Sequence, residues 1–510
     1  MTDTAKPTDA TKKEEPWREA VEQRLAEAPV RSSGTAQVGT GSGAQRIDYD
    51  FIAQYIPVMP DGLAAKPAEP EAAVYTLAYL AKAEGKGTAS RPVLFAFNGG
   101  PGSSSVWLHL GALGPKRVHI NEDGTMPAPP YAVEDNPHSW FEHFDLVFID
   151  PPHTGYSVSA SEDARKRHLS VDGDVAALAE VMRAWLARHQ RFGSAVYLAG
   201  ESYGTTRGAA LADKMLDLGV ALSGVILVSC AMDLQTLVFQ AGNDLPHSLF
   251  LPGFAATAQY HGKLKGALND AAAARAAAEA FVLEDYLVAL HRGATVTPAR
   301  RSKLAKRIGE LSGLPAALVE QQNLRITDQT FFTHLLRDEG RVVGRLESRV
   351  SGPMAARRGY AMEFDPGIEA IVAPYASAVN GYFAQLGIDT QRRYGIINGE
   401  VNQGWHWGRG PVDGKGKMSG NGYTNTTVDL SRALRRNPHL RVLVASGHYD
   451  LGTPYSATNY SLAQLDVDAQ QLKRIEHHYY DAGHMMYTRP ADLKKLKDDL
   501  AGWLAPGTAG

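Results

Sequence analysis

Only one cysteine, Cys230, stands among the 510 residues, so no intramolecular disulfide and no multi-cysteine metal site can form. It is expected to pack as a small apolar group in a strand. Long hydrophobic runs are missing too: no stretch reaches the eighteen or so apolar residues that span a bilayer. The first sixteen residues, rich in Thr, Lys, Asp, Glu and Pro, hold no apolar stretch of the kind an export signal needs. The cytoplasm is therefore the default location, with the periplasm or secretion left open by a processed start. Nor is there an excess of charge of one sign. Lys and Arg number 52 against 55 Asp and Glu, a formal net charge of −3, so phosphates meet no basic field and a nucleic-acid partner has no electrostatic support. What is present, 44% hydrophobic and 21% charged residues, suits a globular chain with one large α/β domain and an inserted or appended subdomain.

Along the chain, residues 1–44 read as a disordered or loop segment, with short edge pairings as the alternative for 31–44. Residues 45–232 open with β-like stretches at 47–58, 73–83, 92–97 and 146–150. Alternation follows: Val175, Leu178, Val181, Met182, Trp185 and Leu186 recur at helical spacing, then come strand 194–199, a helix-like run at 205–218 and strand 224–229. Between 233 and 437 the strand rhythm disappears into helix-rich text, including 270–292 and the basic 298–312, which reads as an inserted cap. Residues 438–510 resume the sheet pattern at 441–446 and 474–480. The expected fold class is α/β, a mostly parallel central sheet with an inserted, largely helical cap.

Gly200-Glu201-Ser202-Tyr203-Gly204 ends one of these strands and opens the next helix. A turn that sharp accepts only small flanking residues and leaves a serine hydroxyl exposed at the sheet edge, the arrangement of a nucleophile elbow. A serine hydroxyl attacks only when a base takes its proton and a carboxylate orients that base. Asp450, after strand 441–446, and His484, after the last strand, supply both in the order Ser, Asp, His. Acyl transfer also needs main-chain N–H groups facing the developing oxyanion. The loop Asn98-Gly99-Gly100-Pro101-Gly102-Ser103-Ser104-Ser105 follows strand 92–97, and the N–H groups of Gly100 and Tyr203 are the expected donors. No metal and no cofactor are expected. His477 and His478 are adjacent on a strand and point to opposite faces. The glycines at 39–43 have no P-loop lysine after them. Trp405-His406-Trp407 suits either a pocket lining or aromatic core, and the basic run 300–307 a solvated helix face.

These motifs resemble the serine carboxypeptidases, α/β-hydrolases that remove C-terminal residues from peptides. The resemblance rests on Asn-Gly-Gly-Pro-Gly at 98–102, Leu113-Gly114-Pro115, Asn136-Pro137 with Ser139-Trp140, the stretch 148–157 around Asp150-Pro151-Pro152, the Gly-Glu-Ser-Tyr elbow, and Gly483-His484-Met485. It implies that Asn98 and Glu201, helped by the Gly99 N–H, hold the free C-terminal carboxylate of a peptide. A glutamate receives a carboxylate only if one of the two is protonated, which favours acid conditions. Two positions depart from the family pattern. Ala112 stands where a second proton-sharing Glu is expected, and Ser103 where a disulfide-forming Cys is common, which points to a bacterial-type or reducing-compartment member.

The expected function is thus a serine-type carboxypeptidase acting on peptides with a free C-terminus through an acyl-enzyme on Ser202. An esterase or acyltransferase on the same scaffold is the alternative, and a catalytically silent binding protein the rival from another class. A homodimer is left open.

Overall fold

The computed structural model describes residues 9–60, 68–82, 91–355, 362–409 and 422–505. The chain divides into two units, one made of Met1–Val118, Ala132–Leu227 and Ala376–Val442, the other of His119–Tyr131, Val228–Tyr375 and Leu443–Gly510.

In the first unit lie β1 (Val30–Val38), β2 (Gln45–Val58), β3 (Ala72–Ala81), β4 (Val93–Phe97), β5 (Lys116–Val118), β6 (Val133–Asp135), β7 (Asp145–Ile149), β8 (Val158–Ser159), β9 (Val196–Glu201) and β10 (Gly224–Val228). Its sheet runs β1-β2-β3-β7-β4-β9-β10. The long N-terminal strands are antiparallel to their neighbours, Tyr55 facing Tyr75 across the β2–β3 ladder. At β7 the sheet turns parallel, with Leu94 of β4 beside Leu146 on one side and Tyr197 on the other. β4 and β7 read Val-Leu-Phe-Ala-Phe and Asp-Leu-Val-Phe-Ile, and every residue of both is buried. Such near-continuous apolar runs hold only where helices cover both faces. Helix Val171–Arg188 is one of them: the Ser170 side chain accepts from Gly173 N at its start, Asp172 and Asp174 sit in the first turn, and Val175, Leu178, Met182 and Trp185 form its buried stripe. Trp185 meets Phe95 of β4 edge-on at 5.4 Å.

The second unit is largely helical. Helix Leu251–Tyr260 packs Phe254 flat on Phe331 at 4.1 Å, and around that pair gather Leu264, Ala278, Phe281, Leu304 and Ile308. Helix Pro298–Ser312 is bounded as its sequence directs, with Thr297 as N-cap, Pro at N1 and Gly313 at φ 73° as its stop. The unit also holds the hairpin β11 (Arg341–Val343) with β12 (Ser351–Pro353). Most of β13 (Arg441–Gly447) lies here beside β14 (Ile475–Tyr480), and helix Pro490–Leu504 closes the described chain. Among the described residues no helix is long and apolar enough to cross a membrane.

The parallel strands, their crossover helices and the turn at Ser202 make this an α/β-hydrolase fold, as the strand–helix rhythm leads one to expect. Several details differ from the sequence reading. In the segment 1–44, read as disordered or loop, Asp9–Ala26 is a helix, while Val30–Val38 is a nine-residue edge strand, the edge pairing that was the alternative for 31–44; residues 1–8 lie outside the described part. The helix is carried by good formers, Ala, Glu, Lys, Arg and Leu, and Val21 is buried. The stretch 233–437, read as one cap, is shared between units: the chain returns to the first at Ala376, within helix Pro366–Gln385. Cys230 is buried but sits just past the end of β10.

Candidate active site

Ser202 adopts φ 60° and ψ −129°, a conformation few residues other than glycine sustain. The turn is set by its flanks: a Cβ on Gly200 would overlap the carbonyl oxygen of Gly204. Helix Tyr203–Asp217 starts at the next residue, so the Tyr203 N–H belongs to the first turn, whose donors have no partner within the helix. Thr205 closes that turn, its N–H and Oγ1 donating to Ser202 O at 2.8 and 2.7 Å. Ser202 itself is half-buried.

The loop after β4 lies directly on this elbow. A Cβ on Gly99 would overlap Tyr203 N and come within 2.6 Å of Gly204 N, an approach only glycine permits. Gly100 and Gly102 both take φ +103°. Asn98 donates from Nδ2 to Glu201 Oε1 at 2.9 Å and accepts at Oδ1 from Leu108 N at 3.0 Å, which fixes its amide orientation. Behind it, Arg207 donates from Nη1 to Asn98 O at 2.5 Å and from Nε to Asp174 Oδ2 at 2.6 Å. Its guanidinium lies 5.3 Å from the ring centres of Phe97 and Tyr203. Burial lifts the Asp174 carboxyl above its ordinary range, against the pull of Arg207.

In the second unit, His484 donates from Nδ1 to Asp450 Oδ2 at 2.7 Å, both side chains all but fully buried. Asp450 also accepts from Gly452 N, Thr453 N and Thr453 Oγ1 at 2.8, 2.9 and 2.7 Å. Burial acts to raise the Asp450 carboxyl, but the imidazole and the Thr453 bonds outweigh it and hold the group below its ordinary value. An ionised carboxylate on Nδ1 keeps the proton there and the lone pair on Nε2, the tautomer a general base requires.

Of the residues singled out from sequence, the structure brings together Asp450 with His484, Asn98 with Glu201, and Gly99 with the Tyr203 main chain; Gly100 stands in the same loop. Ala112 is fully buried in the turn His109–Leu113, its carbonyl accepting from Asn136 Nδ2 at 2.8 Å. Trp405 and Trp407 meet the Tyr203 ring edge-on at 5.2 and 5.7 Å; the first is core, the second 39% exposed. His477 bonds Ser446 Oγ from its strand, and among the described residues no His, Cys, Asp and Glu group is arranged to hold a metal ion.

Sequence reasoning passed over three supporting groups. Thr453 bonds Asp450 and lies 3.2 Å from His484 Nδ1. The pair Asp174 and Arg207 braces Asn98; a lone Arg in the small-residue run 204–210 was its available signal. Asp150 accepts at Oδ1 from Ser105 N, Ser105 Oγ and Tyr394 OH at 2.9, 2.8 and 3.1 Å, securing the far end of the glycine loop. Burial pushes its carboxyl up to about 6.

Residues 72–234 match the family model described as serine carboxypeptidase. Two Arabidopsis thaliana proteins, serine carboxypeptidase-like 5 and serine carboxypeptidase-like 36, are 33% and 35% identical over 115 and 117 residues. Each alignment takes in 22% of this chain, and the chain spans 25% and 22% of those relatives' own lengths. Among solved structures, a proline iminopeptidase from Mycobacterium smegmatis aligns over 93% of this chain and 97% of its own at 13% identity, with a TM-score of 0.34. The glycine loop, the Asp150-Pro151-Pro152 stretch and the elbow all fall inside the matched residues, so the part of the chain that carries them is similar to the serine carboxypeptidases.

Proposed function

We propose that this chain is a serine hydrolase that releases C-terminal residues from peptides. Ser202 attacks the carbonyl carbon of the last peptide bond while His484 takes the hydroxyl proton; the proton then passes to the leaving amino group as the bond breaks. Asp450 keeps His484 in its working tautomer and offsets the charge of the imidazolium. The N–H groups of Gly100 and Tyr203 receive the oxyanion. Water, deprotonated by His484, then frees the acyl group. Asn98, the Gly99 N–H and Glu201 receive the terminal carboxylate, with one proton shared between it and Glu201.

The observation that carries the exopeptidase reading is the Asn98–Glu201 bond, formed by the residue that precedes the nucleophile and the first residue of the glycine loop. An enzyme cleaving internal bonds or simple esters has no use for a carboxylate receptor at that place. A second reading, esterase or acyltransferase, is favoured by Ala112: a buried methyl group stands where the family resemblance calls for a second carboxyl.

Blocked dipeptides differing only in a free or amidated terminus separate the two. Trimming of the free acid with the amide spared supports the carboxypeptidase; ester turnover with neither peptide cleaved at any pH overturns it. Ser202→Ala is expected to abolish acylation with the fold intact. A folded wild type that takes no fluorophosphonate adduct would favour a silent binding protein.

A further inference from the structure

Residues 344–350, the loop of the β11–β12 hairpin, reach the two loops that carry Asp450 and His484. The carbonyl of Arg345 accepts from Leu451 N at 3.0 Å, and that of Leu346 from His484 N at 2.7 Å; Ser348 N donates to Tyr449 O at 3.1 Å. Glycines make this approach feasible. A Cβ on Gly452 would lie 2.8 Å from Leu346 Cδ2, and one on Gly483 would overlap Leu346 O and stand 2.8 Å from Glu347 Cα.

The side chain of Glu347 completes the attachment. Its Oε2 accepts from Gly483 N at 2.8 Å and from Arg349 Nη2 at 2.6 Å, and its Oε1 accepts from Arg349 Nε and N at 2.9 and 3.1 Å. Both side chains are largely buried, at 11% and 6% exposure, where a fork-to-carboxylate pair has strong geometric preference. The loop is anchored in turn to helix Leu251–Tyr260: Ser348 Oγ shares a hydrogen with Thr257 Oγ1 at 2.6 Å, and Ser348 O lies 2.8 Å from His261 Nε2. On its other side, the His484 carbonyl accepts from Ser229 Oγ at 2.6 Å.

An imidazole has two handles, its Cα and its ring nitrogens. Asp450 holds Nδ1, but the direction of Nε2 follows only if the main chain carrying the ring is fixed as well. We propose that Glu347, locked by Arg349, is a positioning residue for His484: it holds the Gly483 N–H, and with the Leu346 carbonyl it sets the main chain from which the imidazole projects. The inference rests on the reading of His484 as the general base.

The test compares wild type with Glu347→Ala, Glu347→Gln and Arg349→Met, reading the rate of fluorophosphonate labelling across pH beside the thermal midpoint. Glu347→Ala is expected to slow labelling by about 10- to 100-fold, the scale of loss when a catalytic group is displaced by an ångström, and to move the limb of the pH profile that reports the base. Glu347→Gln keeps an oxygen for the Gly483 N–H and recovers most of the rate, which a loss of stability alone would not explain. Where Glu347→Ala does not fold, Arg349→Met carries the test from the other end of the pair. A folded Glu347→Ala, or in its place Arg349→Met, labelled at the wild-type rate with an unchanged profile overturns the inference. Wild type that takes no label overturns the hydrolase reading itself, and the inference with it.

Discussion

Asn98 and Glu201, 103 residues apart in sequence, meet through one hydrogen bond, Nδ2 to Oε1 at 2.9 Å, with both residues buried. The amide cannot turn, because its oxygen is committed to Leu108 N. If the pair receives a substrate carboxylate, its worth is that of hydrogen bonds to a charged group, about 1.5–3 kcal/mol each. Glu201→Ala should therefore lower kcat/KM for a free-acid dipeptide by roughly 10- to 150-fold while barely touching hydrolysis of an ester that has no carboxylate. Equal losses on both substrates would assign the pair to the architecture of the elbow instead.

Asp150 has a different signature. Its Oδ1 takes three donors, and its Oδ2 is buried with no partner. Burial lifts the carboxyl from 3.8 to about 6. A carboxyl raised in the folded state binds its proton more tightly there than in the unfolded chain, so its contribution is full below about pH 4 and is lost as pH rises through about 6. Two pH units correspond to about 3 kcal/mol. Urea midpoints of wild type and Asp150→Asn between pH 4 and 7 should diverge in that sense, wild type losing ground as pH rises; parallel curves would reject the assignment. Asp450, held below its ordinary value, acts in the opposite sense and cancels in the comparison.

The pair Arg207 and Asp174 tests how Asn98 is braced from behind. Both side chains are 1% exposed, so removing one leaves the other charged without a counterion in a dry site. Arg207→Met is expected to cost about 3–5 kcal/mol, read as a fall in the urea midpoint. Arg207→Lys keeps the charge but loses the fork that reaches Asp174 and Asn98 O together. It should retain more stability than the Met variant yet still lose activity on peptides. Full activity in Arg207→Lys would show that the bond to Asn98 O does not matter to turnover.

How legible each part was follows from how it is held. The elbow and glycine loop announce themselves because steric need writes glycine at fixed spacing, as at Gly200 and Gly99. Asp450 stands out because it follows the apolar strand β13, and His484 because it follows β14 in the order the elbow calls for. Glu347 and Leu346 left no such trace: Leu346 acts through its carbonyl, which every residue has, and Glu347 reaches a partner 136 positions away. Helix Asp9–Ala26 was obscured by charge and by Pro16; of its described side chains Val21 is the buried one. Asp150 belongs to a stretch the sequence singles out, but its role there was not legible; only the fold reveals that it is fully buried and holds Ser105.

Gly99 offers the sharpest steric test. Its φ is not among the positive ones, so alanine meets no conformational strain, only the main chain of Glu201, Tyr203 and Gly204. Overpacking against backbone, which cannot swing aside like a side chain, costs about 1–3 kcal/mol. The loop can relieve it by lifting off the elbow, and an oxyanion donor that moves away typically costs 10² to 10³ in kcat, roughly 3–4 kcal/mol. Gly99→Ala should thus lose far more in ester kcat than in thermal stability. Gly193→Ala is the control, since a Cβ there meets nothing within 4 Å, and it should leave both quantities near wild type. If Gly99→Ala loses stability and activity in equal measure, the close approach serves packing alone and the oxyanion donors must be sought elsewhere in the loop.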